Sequence, residues 1–171
     1  MLSKTHISAL LLCTLLACLS ACHVYRFRDV SVDPNIKTVK VNYIGPGNLG
    51  ALNPQLSPQL SDRLRQKVTS QTRLTQIQGD NPNLEISGNI SNYSVSTSGI
   101  SGQQAASNRL TVSVHLSVKN RVDDSKSFEA DVSRNFDFES SLSLDQAQAR
   151  LTPTIVQNLT DEIFNRIFSN W

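Results

Sequence analysis

RLTVSVHLSVKN, Arg109 to Asn120, is the stretch that decides the fold. Leu110, Val112, Val114, Leu116 and Val118 alternate with Thr111, Ser113, His115, Ser117 and Lys119. A period of two with one apolar side is the pattern of a half-buried strand. Val122-Asp123-Asp124-Ser125 turns the chain, and Phe128, Ala130, Val132, Phe136 and Phe138 then repeat the alternation. Two such runs joined by a short turn form an antiparallel hairpin. Arg134 interrupts the apolar parity of the second run, which predicts that this face passes the edge of whatever covers it there.

Working outward, Leu84 to Val95 reads as the strand before this hairpin. Leu84, Ile86 and Ile90 share one parity, Tyr93 and Val95 the other, so a bulge is expected near Ser91-Asn92. Gly88 marks a bend or a close backbone approach. Ser96 to Ser107, rich in Ser, Gly and Gln, is the least regular stretch, either a hairpin end or a contact loop. Ile36 to Ile44 is the first strand, with Val39, Val41 and Tyr43 inward and Lys40 and Asn42 outward. Gly45-Pro46-Gly47-Asn48 ends it.

Two helices complete the pattern. Ser57 as N-cap and Pro58 as first residue open one. Its stripe is Leu60, Leu64 and Val68, and Arg63, Arg65 and Lys67 form a solvated side. It fades near Thr69 to Thr72. A polar connection follows through Gly79-Asp80-Asn81-Pro82, with Leu74 and Ile77 covering part of the core. Ser143 with Gln146 forms a capping box for the last helix. Leu144, Ala147, Leu151, Ile155, Leu159, Ile163 and Ile167 run along it to the end of the chain. Pro153 either kinks it or begins a second helix; the unbroken stripe favours one kinked helix. The order is β-α-β-β-β-α. An α+β two-layer sandwich follows, with two helices packed on one face of a four-stranded mixed sheet. The first helix implies a parallel crossover between the strands it joins, if they are neighbours. The other sheet face would be Thr, Ser, Asn, His and Lys, hence wet or in contact with something polar.

The chain begins differently. Lys4 precedes the mostly apolar run Ile7 to Leu19, followed by small residues at Ser20 and Ala21, the layout of an export signal over residues 1–21. Leu19-Ser20-Ala21-Cys22 resembles the lipobox of bacterial lipoproteins. That resemblance implies cleavage before Cys22 and lipidation of its thiol, with residues 22–35 as a tether and 36–171 as one domain. The tether alternates Val24, Tyr25 and Phe27 with Arg26 and Arg28, as an edge strand or an extended segment lying on the domain. With Cys13 and Cys18 in the signal and Cys22 lipidated, no thiol remains for a disulfide. Lys4 is the only charge in the signal, so 15 Lys and Arg face 14 Asp and Glu in the rest. Near neutrality argues against a nucleic-acid partner.

Reactive groups do not converge. His23 adjoins the lipidation site, and His115 sits between serines on a polar strand face. Cys and His lack metal-ligand spacing, and no serine lies in a nucleophile-elbow setting. An enzyme is not expected, nor a cofactor or a metal.

The parts resemble the LptE family of lipopolysaccharide-assembly lipoproteins, in its divergent LptE-like branch. The resemblance is carried by VKVNYIGPGN (Val39 to Asn48), NPQLSPQLSDRLRQKV (Asn53 to Val68), NRLTVSVHLSVKN (Asn108 to Asn120), FEADVSRNFDFESSLSL (Phe128 to Leu144) and EIFNRIFSNW (Glu162 to Trp171). It covers essentially the whole chain after the signal and rests on sequence texture and element order. It implies a non-enzymatic role at the periplasmic side of the outer membrane: plugging the lumen of the LptD β-barrel, helping that barrel assemble, and assisting lipopolysaccharide delivery. Candidates for partner contact are Ile100, Gln103, Ser113 and Asp124. Candidates for contact with lipopolysaccharide phosphates are Arg109, Arg121 and Lys126. The alternative is a lipoprotein adaptor or regulator of another envelope protein, such as a cell-wall synthase.

Overall fold

The computed structural model describes residues 32–47, 53–101 and 104–169, with the backbone alone at 100–101 and 104–106. The expected signal, Cys22 and the tether through Ser31 lie outside the described residues. Five strands form one sheet: β1 (Thr38–Gly45), β2 (Thr75–Gln76), β3 (Leu84–Ser101), β4 (Gln104–Asn120) and β5 (Phe128–Glu139). Their spatial order is β2-β1-β3-β4-β5. β1 lies parallel to β2 and β3, while β3–β4 and β4–β5 are antiparallel. Helices α1 (Leu56–Gln71) and α2 (Leu144–Phe168) close the apolar face. The two-layer α+β sandwich is as expected, with β2 as an additional short edge strand.

β4 places Leu110, Val112, Val114 and Leu116 fully inside, in one core cluster with Leu84 and Ile86 of β3 and with Leu60, Leu64, Ile155, Leu159 and Ile163 of the helices. Removing each such side chain from water stabilises the fold by about 1.5–3 kcal/mol before the cost of ordering it. The bulge expected near Ser91 is present, as the β3–β4 register shifts between Ile90 and Asn92. Gly88 is the expected close approach: a Cβ there would stand 2.5 Å from the His115 carbonyl oxygen. Gly47, at φ 58°, lies under the bulge, where a Cβ would meet the Ile90 carbonyl at 2.3 Å.

Three local readings are corrected and one alternative is decided. In β1 a register shift falls between Val41 and Ile44, so Ile44 takes the inward place and Tyr43 is half exposed. Strict alternation fails there because one extra residue reverses parity. In α1 the N-cap is Gln55, with no side-chain cap, and Ser57 is a buried helical residue. Starting the helix at Leu56 brings that leucine fully into the core. That burial outweighs a cap worth about 1 kcal/mol. Pro58 remains in the first turn, where its missing N–H breaks no helical bond. The polar connection after α1 contains β2, whose Thr75 N–H donates to Lys37 O at 2.8 Å. Lastly, of the two readings of Ser96 to Ser107 the hairpin end holds: β3 and β4 pair out to Ser101 and Gln104, with register shifts between Thr97 and Gly99 and between Gly99 and Ile100. Backbone pairing there needs no apolar alternation, which reports burial and not hydrogen bonding.

α2 is one continuous helix across Pro153, with the expected capping box at Ser143 and Gln146. Thr152 donates its hydroxyl to Gln148 O at 2.7 Å, one residue before the proline. The buried Asn53 amide donates to Thr152 Oγ1 at 3.1 Å and to the Tyr93 hydroxyl at 3.4 Å. This clamp ties the entry of α1, the β3 bulge and the middle of α2 together. Burial raises the Tyr93 hydroxyl pKa above its ordinary value, against the lowering effect of the Asn53 hydrogen bond. Lys67 of α1 pairs with Asp161 of α2 at 2.7 Å and lies 5.2 Å over the Phe164 ring, so it bridges the helices. The side expected to be solvated is thus partly used for packing.

Candidate partner-binding face

The face of the sheet turned away from the helices is a ladder of polar side chains. It arises because β4 and β5 keep strict alternation, so their outward residues meet in register. Arg109 grips Asp137 with two bonds, Nε to Oδ1 at 2.7 Å and Nη2 to Oδ2 at 2.9 Å. Thr111 donates to Asn135 Oδ1, and Ser113 donates to Ser133 Oγ, both at 2.9 Å. His115 Nδ1 lies 2.9 Å from Asp131 Oδ1, which requires the proton on Nδ1, and its Nε2 is 3.9 Å from Glu129. At the edge toward β1, Glu85 accepts from Asn42 Nδ2 and from Arg121 Nη2, each at 3.0 Å.

Charge follows this geometry. The Arg109 hydrogen bonds hold the Asp137 carboxyl below its ordinary value, and Asp137 in turn raises Arg109. The Asn42 amide and then Arg121 hold Glu85 below its ordinary value, against a smaller effect of burial. Each of these groups is turned to a strand neighbour. The face is thus a fixed pattern of donors, acceptors and paired charges.

The seven candidate contact residues do not form one cluster. Arg109 and Ser113 lie in the ladder. Ile100 is near the β3–β4 hairpin tip, its backbone opposite Ala105, and Gln103 lies outside the described residues. Arg121 and Lys126 flank the opposite end, the latter 3.6 Å from Asp33. Asp124 is there too, opening a 3-10 turn with its carboxylate accepting from Ser127 at 3.2 Å. Arg109 and Arg121 are about 40 Å apart along β4 at 3.3 Å per residue. That far end is also where the described chain begins, at Val32, half buried against the core. It holds a cavity of about 290 Å³ lined by Lys126, Phe128, Glu129, Arg166, Ile167 and two serines. Arg166, on α2, was hidden from sequence reading because only packing brings it beside Lys126. The ladder partners Glu129, Asp131, Ser133 and Asn135 were hidden because they depend on the β4–β5 register.

Fold and face define the class: a small two-layer α+β domain, closed by helices on one side and open as a polar sheet on the other. The family model LptE, described as lipopolysaccharide-assembly, matches residues 36–167. The chain belongs to the LptE family. Among solved structures, it is similar to the rare lipoprotein B of Shewanella oneidensis, 12% identical over 77% of this chain and 95% of that one, TM-score 0.52. It is also similar to a minor lipoprotein of Acinetobacter baumannii, 14% identical over 80% and 95%, TM-score 0.44. The first of these shows the shared fold. A comparison with curated proteins finds no match.

Proposed function

We propose that this chain is a lipoprotein anchored through Cys22 to the periplasmic side of the outer membrane, where it plugs the LptD β-barrel. In that place it helps the barrel assemble and pass lipopolysaccharide to the cell surface, without catalysing a reaction. Family membership supports the lipopolysaccharide-assembly role. The observation that carries the plug reading is the open ladder from Arg109–Asp137 to His115–Asp131, a polar sheet face suited to the polar lumen of a large barrel.

Direct contact with lipopolysaccharide belongs to the same reading. Arg109, Arg121 and Lys126 are the cations proposed for its phosphates. Lys126 and Arg166 line a cavity together with Phe128, Ile167 and Glu129; two cations against one carboxylate leave a net positive charge for a phosphate beside an apolar wall.

Site-specific photo-crosslinking in the native outer membrane tests the plug, with probes at Ile100, Ser113 and Asp124. Adducts from two or more sites to one large barrel protein are expected. Adducts only to soluble or inner-membrane proteins would overturn the plug and move the chain to the adaptor class.

A further inference from the structure

The two edges of the sheet are finished differently. Outside β1, Val39 O accepts from Ile77 N–H beside β2, Val41 O accepts from Arg65 Nε at 3.1 Å, and Ile44 N–H donates to Ser61 Oγ at 2.9 Å. That edge is occupied. Outside β5, no strand is paired among the described residues. β5 runs twelve residues with no proline or lysine, and its register with β4 continues from Phe128–Val118 to Glu139–Ser107 without a shift. Proline, lysine and bulges, three common means of blunting an exposed edge, are absent; what guards this edge is charge, the inward Arg134 and the outward carboxylates, which makes pairing selective.

The direction of its backbone groups follows from its neighbours. Arg121 N–H donates to Asn83 O on the β3 side, while Asn120 N–H is taken by Ser127 Oγ on the β5 side. By alternation, the even residues of β4 bond with the even residues of β5. Glu129, Asp131, Ser133, Asn135 and Asp137 therefore turn their N–H and C=O groups outward. Side chains of these same residues stand on the open face, so carboxylates at 129, 131, 137 and 139 line the edge. Arg109 and His115 meet Asp137 and Asp131 from the β4 side, and Arg134 points to the helix layer, where it pairs with Glu162.

Charge selects the occupant. Two β5 strands paired antiparallel about Arg134 would set Asp131 opposite Asp137 and Glu129 opposite Glu139. Like charges directly opposite are destabilising, so a second copy is disfavoured. We propose that the outer edge of β5 takes up an extended partner segment with lysine or arginine at alternate positions, as a sixth strand. Backbone bonds supply the pairing and the alternate cations supply the selection. This inference does not depend on the barrel reading.

Residue-resolved amide exchange on the full mature chain in detergent micelles tests it. The probe is an acetylated eight-residue peptide alternating lysine with valine and threonine; its glutamate counterpart is the control. With the lysine peptide, exchange at the amides of Glu129, Asp131, Ser133, Asn135 and Asp137 is expected to slow at least ten-fold. Ala130 and Val132, already bonded to β4, should stay unchanged, and they report that the strand is intact. Glu129→Lys with Glu139→Lys is expected to weaken lysine-peptide binding at least ten-fold; Glu129→Gln with Glu139→Gln serves if the reversal disturbs folding. Equal binding of both peptides, or protection that spares the outward amides, would overturn the proposal.

Discussion

Leu116 and Ser117 are neighbours in one strand and belong to two different economies of interaction. Leu116 is fully buried beneath the helices, within a cluster that spans every major element. Ser117 lies on the face with the ladder, where neighbours are polar and solvent is close. The apolar side is held by area removed from water, which is large and indifferent to salt and pH. On the polar side, each bond replaces one to water, so the net contribution per pair is small. The helix face therefore carries the stability of the domain, and the ladder is free to carry recognition. That division fits a protein whose open face is available for a partner.

The widest separation between the two faces should appear in a pair of adjacent substitutions. Leu116→Ala is expected to cost about 2–5 kcal/mol, from lost transfer energy and the cavity it leaves. Ser117→Ala should change stability by less than about 0.5 kcal/mol. Urea unfolding of both variants measures the contrast, and equal losses would break the division of labour. Gly88→Ala comes next, at about 1–3 kcal/mol, because the new Cβ collides with the His115 backbone and with Leu116 Cδ2 at 3.2 Å. It loosens the β3–β4 seam that serves both faces. Amide exchange should accelerate in β3 and β4 together; acceleration confined to the loops would show that the seam tolerates a methyl group.

These faces were unequally legible in the sequence. Alternation from Leu110 to Val118 and the stripe from Ala147 to Ile167 are burial signals, and burial is what residue order encodes most directly. The parity break at Ser91 and the close approach at Gly88 were readable for the same reason: each violates a regular pattern. Tyr43 misled because its alternation was intact and only the bulge, set by the partner strand, turns it out. Ser57 misled because a good capping residue lost to a leucine one position earlier. β2 carries backbone pairing without apolar alternation and so left no mark; for the same reason the outer part of β3 was legible only as a hairpin end or a contact loop, without a choice between them. The site was less legible still. Ser113 and Arg109 could be assigned to a polar face, but their partners Ser133 and Asp137 required the β4–β5 register. That Arg166 and Lys126 line one cavity required the whole fold.

The smallest effect expected is electrostatic and lies at the margin of the polar face. Glu85 is held below its ordinary pKa of 4.5, first by the Asn42 amide and then by Arg121. The folded chain therefore binds this proton less readily than the unfolded one. Its contribution to stability is present in full above about pH 4.5 and fades as pH falls through the lower, folded value. Asp33 and Asp137 are also lowered and titrate in the same region, so the wild-type curve alone does not isolate Glu85. Comparison with Glu85→Gln does, since only one of the two chains can lose that charge. The wild-type urea midpoint should exceed that of E85Q at pH 7, and the gap should narrow at pH 3. A gap that does not change with pH would mean that Glu85 acts through shape and hydrogen bonding alone. Because the carboxylate is still partly exposed and burial opposes its shift, the narrowing should be far smaller than the loss at Leu116. A comparably large change would show that the polar face contributes to stability well beyond what its exposure allows.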